Sequence, residues 1–321
     1  PQFWTRRDLL KTTGLLSILP ASSLFSSNVA AAQISEQLKT LTTEIPNAEP
    51  HVDQLIEHWI TPAEQFYIRS HAPAPKIDPK SFELVVEGLV EKPLKISYAD
   101  LFDQFQKVEM TSTMTCAGNR RTELMAMKPI SGVPWGPGAI GNAEWSGVRL
   151  SDVLKKAGVK PNASHVWFEG LDEIQRDDGV IPFGASIPIT KAFADSPQYP
   201  GTMLCNQMNG EPLTPDHGFP LRTVVPGFIG ARSVKWLGRI TVSDRPSNNH
   251  YVARAYKLIY DNTDKEWAES RPIYEYILNS VIAQPSPDKK LAPGNYRVKG
   301  YALPPGRPGI VIREVQILSL I

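Results

Sequence analysis

The feature that most narrows the fold is the spacing of chain breakers. The sequence holds 29 prolines in 321 residues, and combinations such as Pro226-Gly227, Asp216-His217-Gly218 and Pro304-Pro305 interrupt it at short intervals. Proline fixes φ and removes a backbone donor, so such a chain favours many short strands and loops, and an all-helical bundle is disfavoured. With 41% hydrophobic and 21% charged residues the chain can bury one large core, or one core and a smaller module. A net charge of +1, with no basic run interleaved with aromatics, gives no footprint for nucleic acid. Any positive charge that matters must be local.

The N-terminus reads as an address. "TRRDLLK", Thr5 to Lys11, precedes an apolar stretch from Leu15 to Leu19 and then "NVAAAQ", in which Ala30 and Ala32 supply the small residues of a cleavage site. Adjacent Arg6 and Arg7 in this setting read as a twin-arginine export signal over residues 1–32, against the plainer reading of an amphipathic helix. That route carries folded proteins, many of them loaded with a cofactor, and implies a periplasmic destination. No later stretch approaches the roughly 20 apolar residues of a membrane span.

Periodicity places the elements. In "SFELVVEGLV", Phe82, Leu84 and Val86 alternate with Glu83, Val85 and Glu87, the pattern of a strand with one buried face. "ISYADLFDQF" reads as a short helix. "KVEMTSTMTC" alternates again and ends at Cys116, where Gly118 breaks the chain. "VRLSDVLKKAGV" repeats Leu150, Val153, Leu154 and Ala157 at helical spacing, with Ser151 as a cap and Gly158 as a stop. "HVWFEG", "TVVPG", "VKWLGRITVS" and "NYRVKGYAL" are further strands. Pro285, Pro287 and Pro293 mark a boundary, so residues 33–278 form the main domain and 279–321 an incomplete second module, too short for a core of its own.

Only two cysteines occur. In an oxidising compartment Cys116 and Cys205 could pair. A thiolate that binds a metal cannot do so, and the two readings exclude each other. The chain has no Cys-x-x-Cys, Cys-x-x-Cys-His or His-Glu-x-x-His spacing, which argues against attached haem, thioredoxin-like chemistry and the common zinc sites. Cys116 stands before Arg120 and Arg121, whose charge favours a thiolate, and a thiolate is a soft metal ligand. One cysteine is too few for zinc or an iron–sulfur cluster, so other ligands would come from a cofactor, and an anionic substrate would explain the arginines.

These residues lie within longer blocks. "TCAGNRR" (115–121), "HVWFEGLD" (165–172), "FGASIP" (183–188), "MNGEPLTPDHGFPLR" (208–222) and "VPGFIGARSVKWLGRI" (225–240) resemble, in order, the molybdenum-cofactor domain of the sulfite oxidase family. The resemblance runs from about Phe66 to Tyr256. It implies a β-rich α+β molybdopterin domain followed by an immunoglobulin-like dimerisation domain, of which this chain would hold only the start. It implies a molybdenum–molybdopterin cofactor with Cys116 as the protein ligand, and oxidation of sulfite to sulfate. It assigns Arg69, Arg121 and Tyr256 to the anion pocket as catalytic residues. It assigns Arg69, Ser70, His71, Asp172, His217, Arg222, Ser233, Val234 and Lys235 to cofactor binding. With no haem in this chain, electrons would pass to an external acceptor, most plausibly a c-type cytochrome.

The chain departs from the family at two positions: Ser70 stands where the family has asparagine, and Ala255 where it has aspartate before the tyrosine. A further anion-binding arginine lies in the family's dimerisation domain, beyond Ile321, so a homodimer is an open expectation. Two alternatives stay open: a molybdoenzyme that reduces sulfoxides, and a cofactor-free scaffold with a Cys116–Cys205 disulfide. Plainer roles are expected for several residues. Arg120 reads as a structural ion-pair partner, Trp135, Trp145, Trp167 and Trp236 as core or pocket wall, Cys205 as a small buried hydrophobe, and Glu173 with Asp177-Asp178 as a solvated loop.

Overall fold

The structure, a computed structural model, describes residues 35–286 and 289–317. The leader read over residues 1–32 lies outside the described residues. Chain order begins with strands β1 (Leu38–Thr42), β2 (Asn47–Pro50) and β3 (Ile68–Arg69), which form a small antiparallel sheet, with helix α1 (Val52–Leu55) between the last two. Next come β4 (Glu83–Gly88), β5 (Leu94–Ser97), α2 (Tyr98–Gln104), β6 (Lys107–Thr115), α3 (Arg121–Met125), β7 (Ile140–Arg149) and α4 (Leu150–Ala157). The middle of the chain gives β8 (His165–Gly170), β9 (Ile174–Arg176), β10 (Gly179–Ile181), β11 (Gly184–Pro188), α5 (Ile189–Ala192), β12 (Met203–Met208), β13 (Glu211–Pro212) and β14 (Arg222–Val224). Then follow β15 (Leu237–Ser243), α6 (His250–Ala253), α7 (Asp264–Glu269), β16 (Asn279–Gln284) and β17 (Lys299–Leu303).

Two five-stranded sheets dominate. One runs β11-β8-β15-β4-β5, and is mixed because β15 pairs parallel with β4 and antiparallel with β8. The other runs β13-β12-β7-β6, with β14 also on β12. The alternation read in the sequence holds: Leu84 and Val86 of β4 are fully buried while Glu83 and Gly88 face water. With α2 and α4 laid over it, the mixed sheet encloses a core built from Leu84, Leu101, Val148, Leu154, Phe168 and Ile240. Each such side chain contributes roughly 1.5–3 kcal/mol on burial.

Helix α4 buries the four positions its spacing marks, and Gly158 ends it with φ of +72°, a conformation that suits glycine. Ser151 does not cap it. The cap position is Arg149 and Ser151 lies buried inside the helix, because the Leu150 N–H is already taken by the Thr202 carbonyl at 3.0 Å. Glycine is needed at Gly147, where a Cβ would stand 2.0 Å from the Leu204 carbonyl oxygen of the paired strand β12.

A second core lies between the β13-β12-β7-β6 sheet and the site. Trp135 and Trp145 are fully buried there with Phe66, Met203 and Cys205. The Trp145 indole N–H donates to the Ser112 carbonyl at 3.1 Å, and its ring packs edge-on against Phe66 and under the Arg222 guanidinium. Trp145→Ala should therefore cost about 3–5 kcal/mol, read as a lowered midpoint in urea unfolding. Trp236 is also buried, whereas Trp167 is half-exposed and donates to the Arg245 carbonyl.

Where the sequence suggested the start of a second module, β16 and β17 form an antiparallel hairpin. Arg120 Nη1 donates to the Ser280 carbonyl at 2.6 Å, and Tyr301 donates to the Pro137 carbonyl at 2.9 Å. Arg120 also pairs with Glu123, the structural role expected of it. Asp177 and Asp178 lie at the exposed turn between β9 and β10. Among the described residues no helix is long and apolar enough to cross a membrane.

Candidate active site

Ten of the twelve residues singled out in the sequence line one cavity: Arg69, Ser70, His71, Cys116, Asp172, His217, Arg222, Ser233, Lys235 and Tyr256. Strand ends and the loops that follow them supply nearly all of these, because loops carry reactive groups while sheets fix their origins. Val234 and Arg121 are not among the lining residues.

Cys116 follows β6 directly. Its N–H donates to the Ala139 carbonyl at 2.9 Å, and the Gly118 N–H points at its sulfur at 3.4 Å. Burial raises the thiol above its ordinary range. Arg69, the Gly118 N–H and Arg121 oppose that, in descending order. Both cysteines are free thiols, so the disulfide weighed as an alternative is not formed. Cys205 lies on β12 opposite Gly147 and Arg222, fully buried in the tryptophan-lined core.

Arg69 ends β3. Its guanidinium donates to Ser70 O, to Asn47 Oδ1 at 3.2 Å and to His71 Nε2 at 2.5 Å. His71 Nε2, an acceptor there, also meets the Tyr256 hydroxyl at 3.2 Å. Burial first, then Arg69 and Lys235, hold His71 well below the usual imidazole range, so the ring is neutral. It stacks on Phe183 and leans on Tyr251.

The far wall is cationic. Arg222 donates to the His217 carbonyl at 2.8 Å and reaches the Ser233 carbonyl at 3.4 Å. Burial lowers its guanidinium to about 10. The His217 Nδ1 accepts from the Thr214 hydroxyl at 2.8 Å and Nε2 donates to the Phe66 carbonyl at 3.3 Å, which fixes the tautomer. Burial brings this imidazole to about 3. Lys235 donates to Ser70 Oγ at 2.6 Å and to the Asp216 carbonyl at 2.8 Å. Asp172 accepts from the Phe183 N–H, and burial raises its carboxyl. Among the described residues none of Arg69, Arg222 and Lys235 has a carboxylate within ion-pair distance. Unpaired cations facing one cavity call for an anion.

The family description "Oxidoreductase molybdopterin binding domain" matches residues 71–251. A sulfite oxidase of Gallus gallus is 41% identical over 279 residues, covering 84% of this chain and 59% of that protein. A sulfite oxidase of Arabidopsis thaliana is 37% identical over 286 residues, covering 85% of this chain and 71% of that one. The chain belongs to the sulfite oxidase family of molybdopterin-binding oxidoreductases. Among solved structures, the sulfane dehydrogenase SoxCD of Paracoccus pantotrophus superposes with a TM-score of 0.64 at 28% identity, covering 84% of this chain and 68% of that one. The mixed α+β, β-rich fold expected from the sequence is therefore the family fold. The chain spans only about half the length of several of its animal relatives.

Two placements in this family member differ from simple expectation. Arg121 begins α3 and turns its guanidinium onto the Val133 carbonyl at 2.9 Å, so it acts on the Cys116 thiol through its charge without lining the cavity. Val234 is buried, and its N–H is taken by the Thr223 hydroxyl. Sequence reasoning missed Arg232, which is fully buried and donates to the Ile273 and Tyr251 carbonyls, both at 2.9 Å. Nothing in the run Gly230-Ala231-Arg232 signals that its arginine points inward.

Burial, with help from Arg222, lowers the Lys235 ammonium to about 7. An anion bound beside it stabilises the charged form and raises that value, so binding takes up a proton above pH 7. Anion affinity should then fall by up to about tenfold per pH unit above 7. Calorimetry with sulfate in buffers of different ionisation enthalpy measures this, and Lys235→Met should abolish the proton uptake.

Proposed function

We propose that the protein oxidises sulfite to sulfate with a molybdenum–pterin cofactor seated in this cavity. The carrying observation is a single buried thiol, Cys116, sharing a cavity with Arg69, Arg222 and Lys235, none of them ion-paired. The donor set fits the group: a soft sulfur at one end suits the metal, while Lys235, Arg222 and the backbone near Ser233 suit a phosphate-bearing pterin.

When bound, the cofactor supplies the oxygen-atom transfer and takes up the two electrons. The chain's own residues bind and orient. Arg69, beside the thiol, holds a sulfite oxygen through its planar fork. Neutral His71 and the Tyr256 hydroxyl form a hydrogen-bonded pair that can accept or return a proton next to the anion. Ala255 supplies no carboxylate here and packs among Ala72, Ile174 and Tyr251, leaving the cationic charge of the cavity less offset.

The two electrons leave to an external acceptor, with a c-type cytochrome as partner. The twin-arginine reading of residues 1–32 places the reaction in the periplasm after folded export, and a homodimer is one assembly compatible with the family. One observation favours a second reading, reduction of sulfoxide-type substrates: Arg121 is turned onto the Val133 carbonyl and does not line the cavity, and a neutral substrate needs less positive charge. Purified, molybdenum-loaded protein is assayed with sulfite and oxidised cytochrome c, and separately with methionine sulfoxide and a reduced dye. Sulfite-dependent reduction of cytochrome c supports the proposal; turnover of sulfoxide alone would replace it.

A further inference from the structure

We infer that Asn47, contributed by the small N-terminal sheet, is a positioning residue that aims Arg69 at the anion; the inference rests on the reading of Arg69 above. Strand β2 pairs with β3 so that Asn47 lies directly across from Arg69. Asn47 is only 3% exposed, and all of its side-chain polarity is used. Its amide nitrogen donates to the Thr42 hydroxyl at 2.8 Å and to the Ile45 carbonyl at 3.0 Å. That network orients the amide, leaving Oδ1 to accept from Arg69 Nη1 at 3.2 Å and from the Ser70 N–H at 3.1 Å.

The geometry matters because an arginine without an ion-pair partner has many rotamers. Here one guanidinium nitrogen is pinned by a neutral acceptor that leaves the positive charge uncancelled. A carboxylate in the same place would hold Arg69 as well but would neutralise it. An amide does the first without the second. Asn47 lies outside the 71–251 stretch matched by the family description, so the anion pocket is completed by a strand that the matched stretch does not contain.

The test uses the molybdenum-loaded protein and sulfate, an unreactive dianion, with its Kd read by calorimetry beside KM and kcat for sulfite. Asn47→Ala should raise the sulfate Kd and the sulfite KM about tenfold, with kcat changed less than about twofold. Thr42→Val removes a buried partner of the same asparagine without touching Arg69, so it should lower thermal stability while moving Kd less than about twofold. Asn47→Asp keeps the acceptor and should fold through its pairing with Arg69, yet weaken sulfate at least tenfold by cancelling the charge. Equal Kd shifts in Asn47→Ala and Thr42→Val, or an unchanged Kd in Asn47→Asp, would overturn the inference. If Arg69→Ala itself leaves the sulfate Kd unchanged, the fault lies in the reading of Arg69, and the inference goes with it.

Discussion

Replacing Cys116 by serine is expected to leave a folded protein with almost no sulfite-oxidising activity. The fold should survive because the local bonds do not depend on sulfur: the residue's N–H still donates to the Ala139 carbonyl, and the Gly118 N–H can meet a hydroxyl as it meets the thiol. The cost to stability should stay within about 1 kcal/mol. Chemistry should not survive. A hydroxyl is a harder donor than a thiolate and stays protonated at neutral pH, so it neither ligates a soft centre well nor tunes it. The loss should exceed the roughly 100-fold that changes in outer-shell partners of metal sites commonly cost. Molybdenum content by mass spectrometry, unfolding by circular dichroism and turnover with cytochrome c separate the three effects. Wild-type activity in a loaded serine variant would remove Cys116 from the mechanism.

Arg69→Ala should raise the KM for sulfite by about 30-fold to 1,000-fold, equivalent to roughly 2–4 kcal/mol. Its guanidinium opposes the effect of burial on the Cys116 thiol more strongly than the Gly118 N–H or Arg121 does. A second effect follows at His71. Arg69 is the largest charge holding that imidazole below its usual range, after burial itself. Removing it lets the His71 pKa rise, so protonation sets in at higher pH and the acid limb of the activity profile moves upward. A variant with the KM change and no displacement of that limb would show that His71 is held neutral by burial alone.

Much of this was legible in the residues. Alternation located β4 and β6, and helical spacing located α4, because each buries one face against a continuous core. Cys116 was legible as a strand-end thiol before a glycine. The resemblance then named twelve residues, ten of which line one cavity. What escaped has a common physical cause: it depends on pairings between distant segments. Asn47 meets Arg69 only through the register of β2 on β3. Arg232 is drawn inward by carbonyls of residues 251 and 273. Arg121 looked equivalent to Arg69 in charge, but its place at the start of α3 commits the guanidinium to Val133. The Ser151 cap failed for a similar reason, since a carbonyl 52 residues away satisfies the first N–H of α4.

Tyr256 carries φ of +55°, a left-handed backbone state that a large aromatic residue adopts only under constraint. The constraint is visible: the Ile273 N–H donates to the Tyr256 carbonyl at 2.8 Å, and Lys257 bridges to Pro272. The phenol's aim into the cavity is thus constrained from outside it, by residues 272–273, which do not line the cavity. Sequence drift around residues 272–273 can therefore detune the reaction while every group facing the anion stays the same.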